Sequence, residues 1–484
     1  MKRILIVSVM LLVLALGLTA CACENGDDAG IDAPPTVENG DASVGGDDGS
    51  ADLEAIGAHR GIHPPRDLGG RVIRVGNYWA GYLSTYLFEE PDPAETEDFE
   101  AAMLIWENAQ RIREDWNVEF EEVVFGYGEV VPMLTASAAA GTPNIDIMHM
   151  PGHMVFSSVT GNLIMPLGSI APPTSDTLGA QIHSTPGVFF NDNYWTFNTH
   201  MYNATGVGVG VNMDLIRSLG LPDPVALYNS GEWNWENFLY IMRRASDVPG
   251  HFGMAGNHGE LIWSLIAAND GILVDDNYNF GMAHPNTIEA LELVDLIFRE
   301  RLWFYNPVIG AEIGDWGRNF WSFQEGNSVF WPAMTWSSGD IAFDYHIIPW
   351  PHGPANTSGG TWFQGWPGGL AIPVGVEDPE AVFMVMEELH AWPGPDGQWR
   401  HFQDSVNWPM STFRHEEDVW RMLHDIGENG RFDFGWMLRV GGTAYTAIMN
   451  DVSIYLFNQY ATPIEAVEAH RGSHQAMLDQ FLGR

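Results

Sequence analysis

Apolar and polar positions alternate over RVIRVG at residues 71–76, a two-residue period that predicts a short, half-buried strand. The period then lengthens. Met103, Trp106, Ala109, Ile112 and Trp116 recur at helical spacing between Glu100 and Trp116, and the run stops at Asn117. NVEFEEVVF (117–125) reads as a second strand, Val130 to Ala140 as a helix closed by Gly141, and Pro143 to Met148 as a third strand. Strand, helix, strand, helix, strand predicts parallel βαβ units and an α/β fold, whose ligands sit beyond the carboxyl ends of the strands. Those ends fall at Trp79, near Phe125, and at Met150 to His153.

The middle of the chain changes character. From Tyr194 to Pro224, YWTFNTHMYNATGVGVGVNMDLIRSLGLPDP, an extended β-branched run passes through Gly206, Gly208 and Gly210, and turns helical after Asp214. It stops at Gly220 with Pro222 beyond. A ribbon of this kind suits a connector between two folded bodies, and its glycines suit close backbone approach and hinge motion. A dinucleotide-binding loop is excluded because the third required glycine would fall at Val211 or Met213. Beyond it, a helix is expected near Asn234 with Trp235, Phe238, Ile241 and Met242 on one face, then helices over Leu261–Ala268 and Thr287–Arg301. Glu325 to Met334 leads into a loop at Thr335-Trp336, and Tyr345 to Pro349 reads as a strand. A glycine-rich loop, HGPANTSGGTWFQGWPGG, then precedes the crossing segment LAIPV. Pro379 to His390 is an amphipathic helix, the remainder reads as helical with loops, and there is no internal repeat.

At 484 residues the chain is too long for one core and implies two or three compact bodies. It holds 63 Asp and Glu against 21 Lys and Arg, a net charge of −42, and Lys2 is the only lysine. So few cations exclude a nucleic-acid partner and disfavour an anionic membrane surface. Cys21 and Cys23 are the only cysteines, which leaves the folded part without disulfide or thiol chemistry. Lys2 and Arg3, the apolar run Ile4–Gly17 and the small residues up to Ala20-Cys21 resemble a bacterial lipoprotein signal peptide (residues 1–20). That resemblance implies a lipidated Cys21 and a membrane-anchored, extracellular chain. A plain secretory leader and a transmembrane anchor are the alternatives, although the run is short for spanning. Residues 21–66 are an acidic stretch without the apolar content for a core, and read as a disordered tether.

Seven segments in order carry a wider resemblance. LTASAAAGTPNIDIMHM with GNLIMPL, TGVGVGVNMDLIRSLGLPDP, GEWNWENFLYIMRRASD, LIWSLIAANDGILVDD, FQEGNSVFWPAMTW, GGLAIPVGVEDPEAVFMVMEEL and ATPIEAVEAH are similar to the extracellular solute-binding proteins of ABC importers. The branch is family 1, the maltose-binding-protein-like sugar binders, and the likeness runs from about residue 70 to 480. It implies a two-lobed, class II periplasmic-binding-protein-like fold with hinge strands between the lobes. The implied N-terminal lobe is 67–198 plus about 363–400, and the C-terminal lobe 205–360 plus about 401–484. Val329-Phe330, followed by Trp331, departs from the family's usual Ala-Met pair, and lysine is missing where the family often supplies a cation.

Sugar rings are apolar on their faces and hydroxylated at their edges, so a sugar site needs flat aromatic platforms plus polar groups for paired hydroxyls. Carried over residue by residue, the resemblance implies ligand contacts from Trp79, His153, His258, Glu260, Trp336, Trp362 and Trp366. Trp336 stands in the family's stacking position. Trp195, Trp235, Trp263 and Trp303 read as core, Asp146 as a structural carboxylate, and Trp79, Trp362 and Trp366 stay open between core and cleft. His258 with Glu260 lacks any HExxH or Cys/His spacing, so neither a metal nor a cofactor is expected.

Two functions of different class remain. One is a non-enzymatic receptor that closes on a sugar or oligosaccharide and docks on the transmembrane subunits of an ABC permease. The other is a secreted carbohydrate-active enzyme such as a glycoside hydrolase, which needs two carboxylates ~5 to 9.5 Å apart across a cleft. No strand-end carboxylate pair or hydrolase motif stands out, and the leader with the crossing ribbon favours the receptor.

Overall fold

The computed structural model describes residues 61–78, 85–94, 96, 99–171, 189–190, 193–197, 207–256, 258–275, 277–304, 321–334, 341–357, 369–390, 413–421, 451–482 and 484. The expected leader, Cys21 and the acidic stretch up to residue 60 lie outside them.

The first sheet follows directly from the βαβ pattern. Strand β1 (Arg71–Asn77) pairs in parallel with β2 (Val118–Val124) along its whole length and with β3 (Ile147–Met150) at Val75 and Gly76. The connections are α1 (Phe99–Trp116) and α2 (Val130–Ala140), and α3 (Gly152–Thr160) follows β3. Adjacent residues of β3 point to opposite faces. Ile147 joins Ile73, Val75, Trp116 and Phe383 on one face, and Met148 joins Phe125, Leu134 and Ile164 on the other. Asp146 receives the Arg71 guanidinium and, at 2.9 Å, the backbone N–H of Arg74, which is a structural role. The expected third strand began at Pro143. It begins instead at Ile147, because Asp146 is engaged by β1 before the ladder starts.

Two short strands, β4 (Phe189–Phe190) and β5 (Asn193–Tyr194), form a small antiparallel pair before the second sheet. That sheet has the order β7–β8–β6–β9, from β6 (Val207–Asn212), β7 (Phe252–Met254), β8 (Ser328–Met334) and β9 (Tyr345–Ile348). Four helices accompany it: α4 (Met213–Ser218), α5 (Pro224–Asn229), α6 (Trp235–Ser246) and α7 (His258–Ala267). A fifth, α8 (Pro285–Arg299), packs on α7. Asn212 caps α4 by accepting from the Leu215 N–H at 3.1 Å, and Asn234 caps α6 by accepting from Asn237 at 3.1 Å. Helix α6 then buries Trp235, Phe238, Ile241, Met242 and Ala245, a stripe at helical period. Each large side chain of that stripe contributes about 1.5–3 kcal/mol by leaving water.

Strand β10 (Gly369–Ala371) returns to the first sheet antiparallel to β3, and α9 (Pro379–His390) packs beside α1. The last helices, α10 (Ser453–Phe457) and α11 (Pro463–Leu482), belong to the second core through Leu456, Ala466, Val467 and Leu478. Among the described residues no helix is long and apolar enough to cross a membrane.

One glycine of the ribbon makes room for an indole. Gly208 and Gly210 are buried in an interior strand paired on both sides, and neither has a positive φ. Gly206 lies outside the described residues. Gly210 faces Trp331 directly across the ladder, and a Cβ there would stand 2.1 Å from the indole. Trp331 is fully buried, stacked on Phe323 (5.1 Å, 10°) and edge-on to Phe343 and Tyr345. The bulky departure at Trp331 is thus accommodated by the missing side chain opposite it.

Ordered contacts begin before residue 67. The N–H groups of Ile62 and His63 donate to Glu388 Oε1 at 2.8 and 2.7 Å, and Arg111 holds Glu388 Oε2 at 2.6 Å. His63 Nε2 meets Glu387 Oε2 at 2.6 Å. Both glutamates are fully buried at the end of α9, so the segment from residue 61 is strapped to α1 and α9.

Gly210→Ala is expected to destabilise the second lobe by about 1–3 kcal/mol or more, since the indole has nowhere to move. Urea unfolding followed by tryptophan fluorescence measures it, and an unchanged midpoint would reject the account. Glu388→Ala removes the acceptor of three donors at once, the Ile62 and His63 N–H groups and Arg111, which keeps only Asn108 and Asp115. It is expected to cost the first lobe about 3–5 kcal/mol in the same assay.

Candidate functional site

At the edge of the first sheet the last described residue before the second core and the returning strand are joined by reciprocal backbone bonds. Phe197 N–H donates to Leu370 O and Leu370 N–H donates to Phe197 O, each at 2.7 Å. The return segment is also held from its other side, where Met165 N–H donates to Ile372 O (2.8 Å) and Val374 N–H to Leu163 O (3.0 Å). Approach at Gly369 is so close that a Cβ would lie 2.4 Å from Phe197 O. Trp195 and Val159 pack against both the second core and the first lobe's α2–α3 core, and α3 touches α11.

In the second sheet, strand polarity decides which strand ends share an edge. Strand β6 enters the second sheet by its amino end. It is antiparallel to β8 and β9, and β7 runs with β8. The carboxyl ends of β7, β8 and β9 therefore share the edge with Val207, the first residue of β6. Ala255-Gly256 and Pro349-Trp350 lie on it.

On the first sheet, the carboxyl ends of the parallel strands carry Asn77-Tyr78, Phe125–Glu129 and Pro151–His153. The Tyr78 ring stacks on His149 (4.9 Å, 23°) and meets Tyr127 edge-on (5.5 Å, 79°). His149 is buried, with Nδ1 3.4 Å from Asn77 Oδ1, and Asn77 Nδ2 donates to Glu122 at 3.1 Å. Tyr78 is half-buried and Tyr127 is exposed, so this anchored cluster offers an aromatic surface. Helix α3 starts beside it with Pro151 as N-cap and no side-chain cap, which leaves first-turn N–H groups and a partial positive charge at this edge.

The expected ligand residues divide as follows. Trp79 directly follows Tyr78 in the chain, but Trp79, Trp336, Trp362 and Trp366 lie outside the described residues. His153 occupies the first turn of α3, and its side chain lies outside the description. His258 and Glu260 do not precede the Trp263 helix: they form its first turn and are 1% and 2% exposed. The His258 ring stands edge-on to Trp303 (5.7 Å, 64°), whose Nε1 donates to Gly256 O at 3.2 Å. Buried so deeply, the two stiffen the second lobe's edge and display little surface. Trp235, Trp263 and Trp303 are core, and Trp195 is half-buried at the junction. Sequence reasoning passed over Tyr78, Tyr127 and His149. Tyr78 sits in the loop already marked by Trp79, and a histidine inside the buried IMHM strand was an available signal.

A three-layer α/β body and a second α/β body are the parts of the two-lobed periplasmic-binding-protein-like fold. The profile of the bacterial extracellular solute-binding proteins matches residues 93–390, and the chain belongs to that family. No curated protein sequence matches it. Among solved structures, it is similar to the cyclic α-maltosyl-1,6-maltose-binding protein of Arthrobacter globiformis. The two share 16% identity with a TM-score of 0.59, over 85% of this chain and 100% of that one. It is also similar to an ABC substrate-binding protein of Listeria monocytogenes solved with cycloalternan (13%, 0.56, 86% and 99%). A Streptomyces glaucescens receptor solved with acarbose gives 13% and 0.55, over 86% and 99%.

Gly369→Ala is expected to loosen the crossing. Hydrogen exchange at the Phe197 and Leu370 amides should accelerate at least about tenfold, the equivalent of 1.4 kcal/mol of local stability. Exchange in β2 serves as the internal control, and equal acceleration there would mean global rather than local loosening.

Proposed function

We propose that the protein is the extracellular substrate-binding component of an ABC importer, which captures a sugar or oligosaccharide between its lobes and delivers it to a membrane permease. The observation that supports this reading is the Phe197–Leu370 pairing, which joins the segment leaving the first sheet to the strand returning to it, beside the carboxyl end of β3. The anchored Tyr78–His149–Tyr127 surface on the first lobe is the kind of platform a pyranose face stacks on. Family membership and the oligosaccharide ligands of similar structures support it.

In this proposal Trp336 is the principal stacking residue, with Trp79, Trp362 and Trp366 as further aromatic contacts. His153 and the first turn of α3 bond hydroxyls, and His258 and Glu260 shape the opposite edge. The lobes are 67–198 with about 363–400, and 205–360 with about 401–484, preceded by the strap at residues 61–66. Closure is driven by contacts made to both lobes at once, because a ligand touching one lobe alone shifts no equilibrium. Cys21 is the lipid anchor, and the acidic tether holds the lobes on the outer face of the cell membrane.

The test is a titration of the Arg60–Arg484 unit, compact by its own contacts, with a panel of mono- and oligosaccharides. Tryptophan fluorescence reports binding and product analysis reports turnover. A saturable change with the sugar intact is expected, and Trp336→Ala should weaken it at least about tenfold, or 1.4 kcal/mol. Turnover would establish the hydrolase reading instead. Silence across the panel would reject sugar as the ligand class.

A further inference from the structure

Away from the junction, in the second lobe, three side chains converge on one point. His470 and His474 lie four residues apart on α11 and so project from one face of the helix. Asp451 stands just ahead of α10 and places a single oxygen, Oδ2, against both rings. It is 2.9 Å from His474 Nε2 and 3.6 Å from His470 Nδ1. One candidate donor atom from each residue fits within a common 4.8 Å span. We propose that Asp451, His470 and His474 form a binding site for a divalent transition-metal ion of the zinc class.

The chemistry matches in type and spacing. Two imidazoles and a carboxylate are the donor set of many zinc sites, and with ligands ~2.0–2.2 Å from the metal a tetrahedron sets neighbouring donors about 3.3 Å apart. The observed 2.9 and 3.6 Å straddle that spacing. Neutral imidazoles with one carboxylate leave a local charge of −1, in a chain of net charge −42, which favours a divalent cation. Aromatic rings hold the ligands in place. His474 stacks on Phe280 (5.5 Å, 17°), and Tyr455 meets His470 edge-on (5.0 Å, 89°). His474 is buried, while His470 and Asp451 are 18% and 28% exposed and leave a route from solvent. A water completes the four ligands.

A second cluster, His346 with Glu417 and Asp418, looks similar and fails the same test. Arg421 already occupies Asp418 Oδ1 at 2.6 Å, and the Ile347 N–H occupies Oδ2 at 2.9 Å, so a cation would be repelled and short of lone pairs. The one arginine next to the first cluster in sequence, Arg471, is committed to Glu468. A metal bound there would tie the turn before α10 to α11, two elements of the second core.

The test uses the full-length protein, stripped with a chelator and titrated with zinc chloride alone at pH 7.5 by calorimetry, with cobalt(II) absorption as the reporter of tetrahedral nitrogen and oxygen ligation. One equivalent should bind and should raise the thermal midpoint. His470→Ala and Asp451→Asn should each weaken binding by at least about 100-fold, beyond the 10–100-fold typical of losing a supporting residue. Asp451→Asn keeps the side-chain volume, so it decides the matter if the histidine variant does not fold. Absence of stoichiometric binding, or binding that survives both substitutions in folded protein, overturns the proposal.

Discussion

The pair of 2.7 Å bonds between Phe197 and Leu370 is the constraint on which the rest of this architecture depends. The chain has to leave its first α/β body and later come back, and it does both along one edge of one sheet. The returning strand then has ladder partners on both sides, β3 and Phe197, which removes an exposed edge where the two lobes meet. In the second sheet, strand polarity puts the carboxyl ends of β7, β8 and β9 on the same edge as Val207, the amino end of β6.

Among the described residues the tryptophans are mostly a matter of packing. Trp116, Trp233, Trp235, Trp263, Trp303, Trp331 and Trp350 are all buried, and several lie in aromatic clusters with neighbouring phenylalanines. Large rings in a close-packed core need matching absences. Gly210 opposite Trp331 is the clearest one, and it explains why an alternating glycine run sits in the middle of a sheet. The side chains that do offer aromatic surface at the first lobe's edge are tyrosines, held in place by a buried histidine.

Cations are scarce in this chain, and among the described residues three arginines are spent on carboxylates buried in the structure. Arg111 serves Glu388, Arg71 serves Asp146 and Arg421 serves Asp418. The His63 ring takes the fourth such carboxylate, with Nε2 2.6 Å from Glu387 Oε2. A buried carboxylate without donors carries a desolvation cost of several kcal/mol, whereas a surface carboxylate carries almost none.

The order of strands and helices was legible in the sequence because it rests on local periodicity and punctuation. Val130–Ala140 and Pro379–His390 stand where the apolar spacing set them, and Asn212 and Asn234 mark helix starts through their own side chains. Motif order also identified the family. Long-range contacts had no such signature. That Gly210 seats an indole 121 residues away, and that Glu388 closes over Ile62 and His63, depend on which chain segments become neighbours. The same holds for Tyr78 on His149 and for Asp451 between His470 and His474. The sequence alone determined the elements and their class. Only the tertiary structure decided their partners, because a side chain's role is set by what lies within a few ångströms of it, and that distance is not written along the chain.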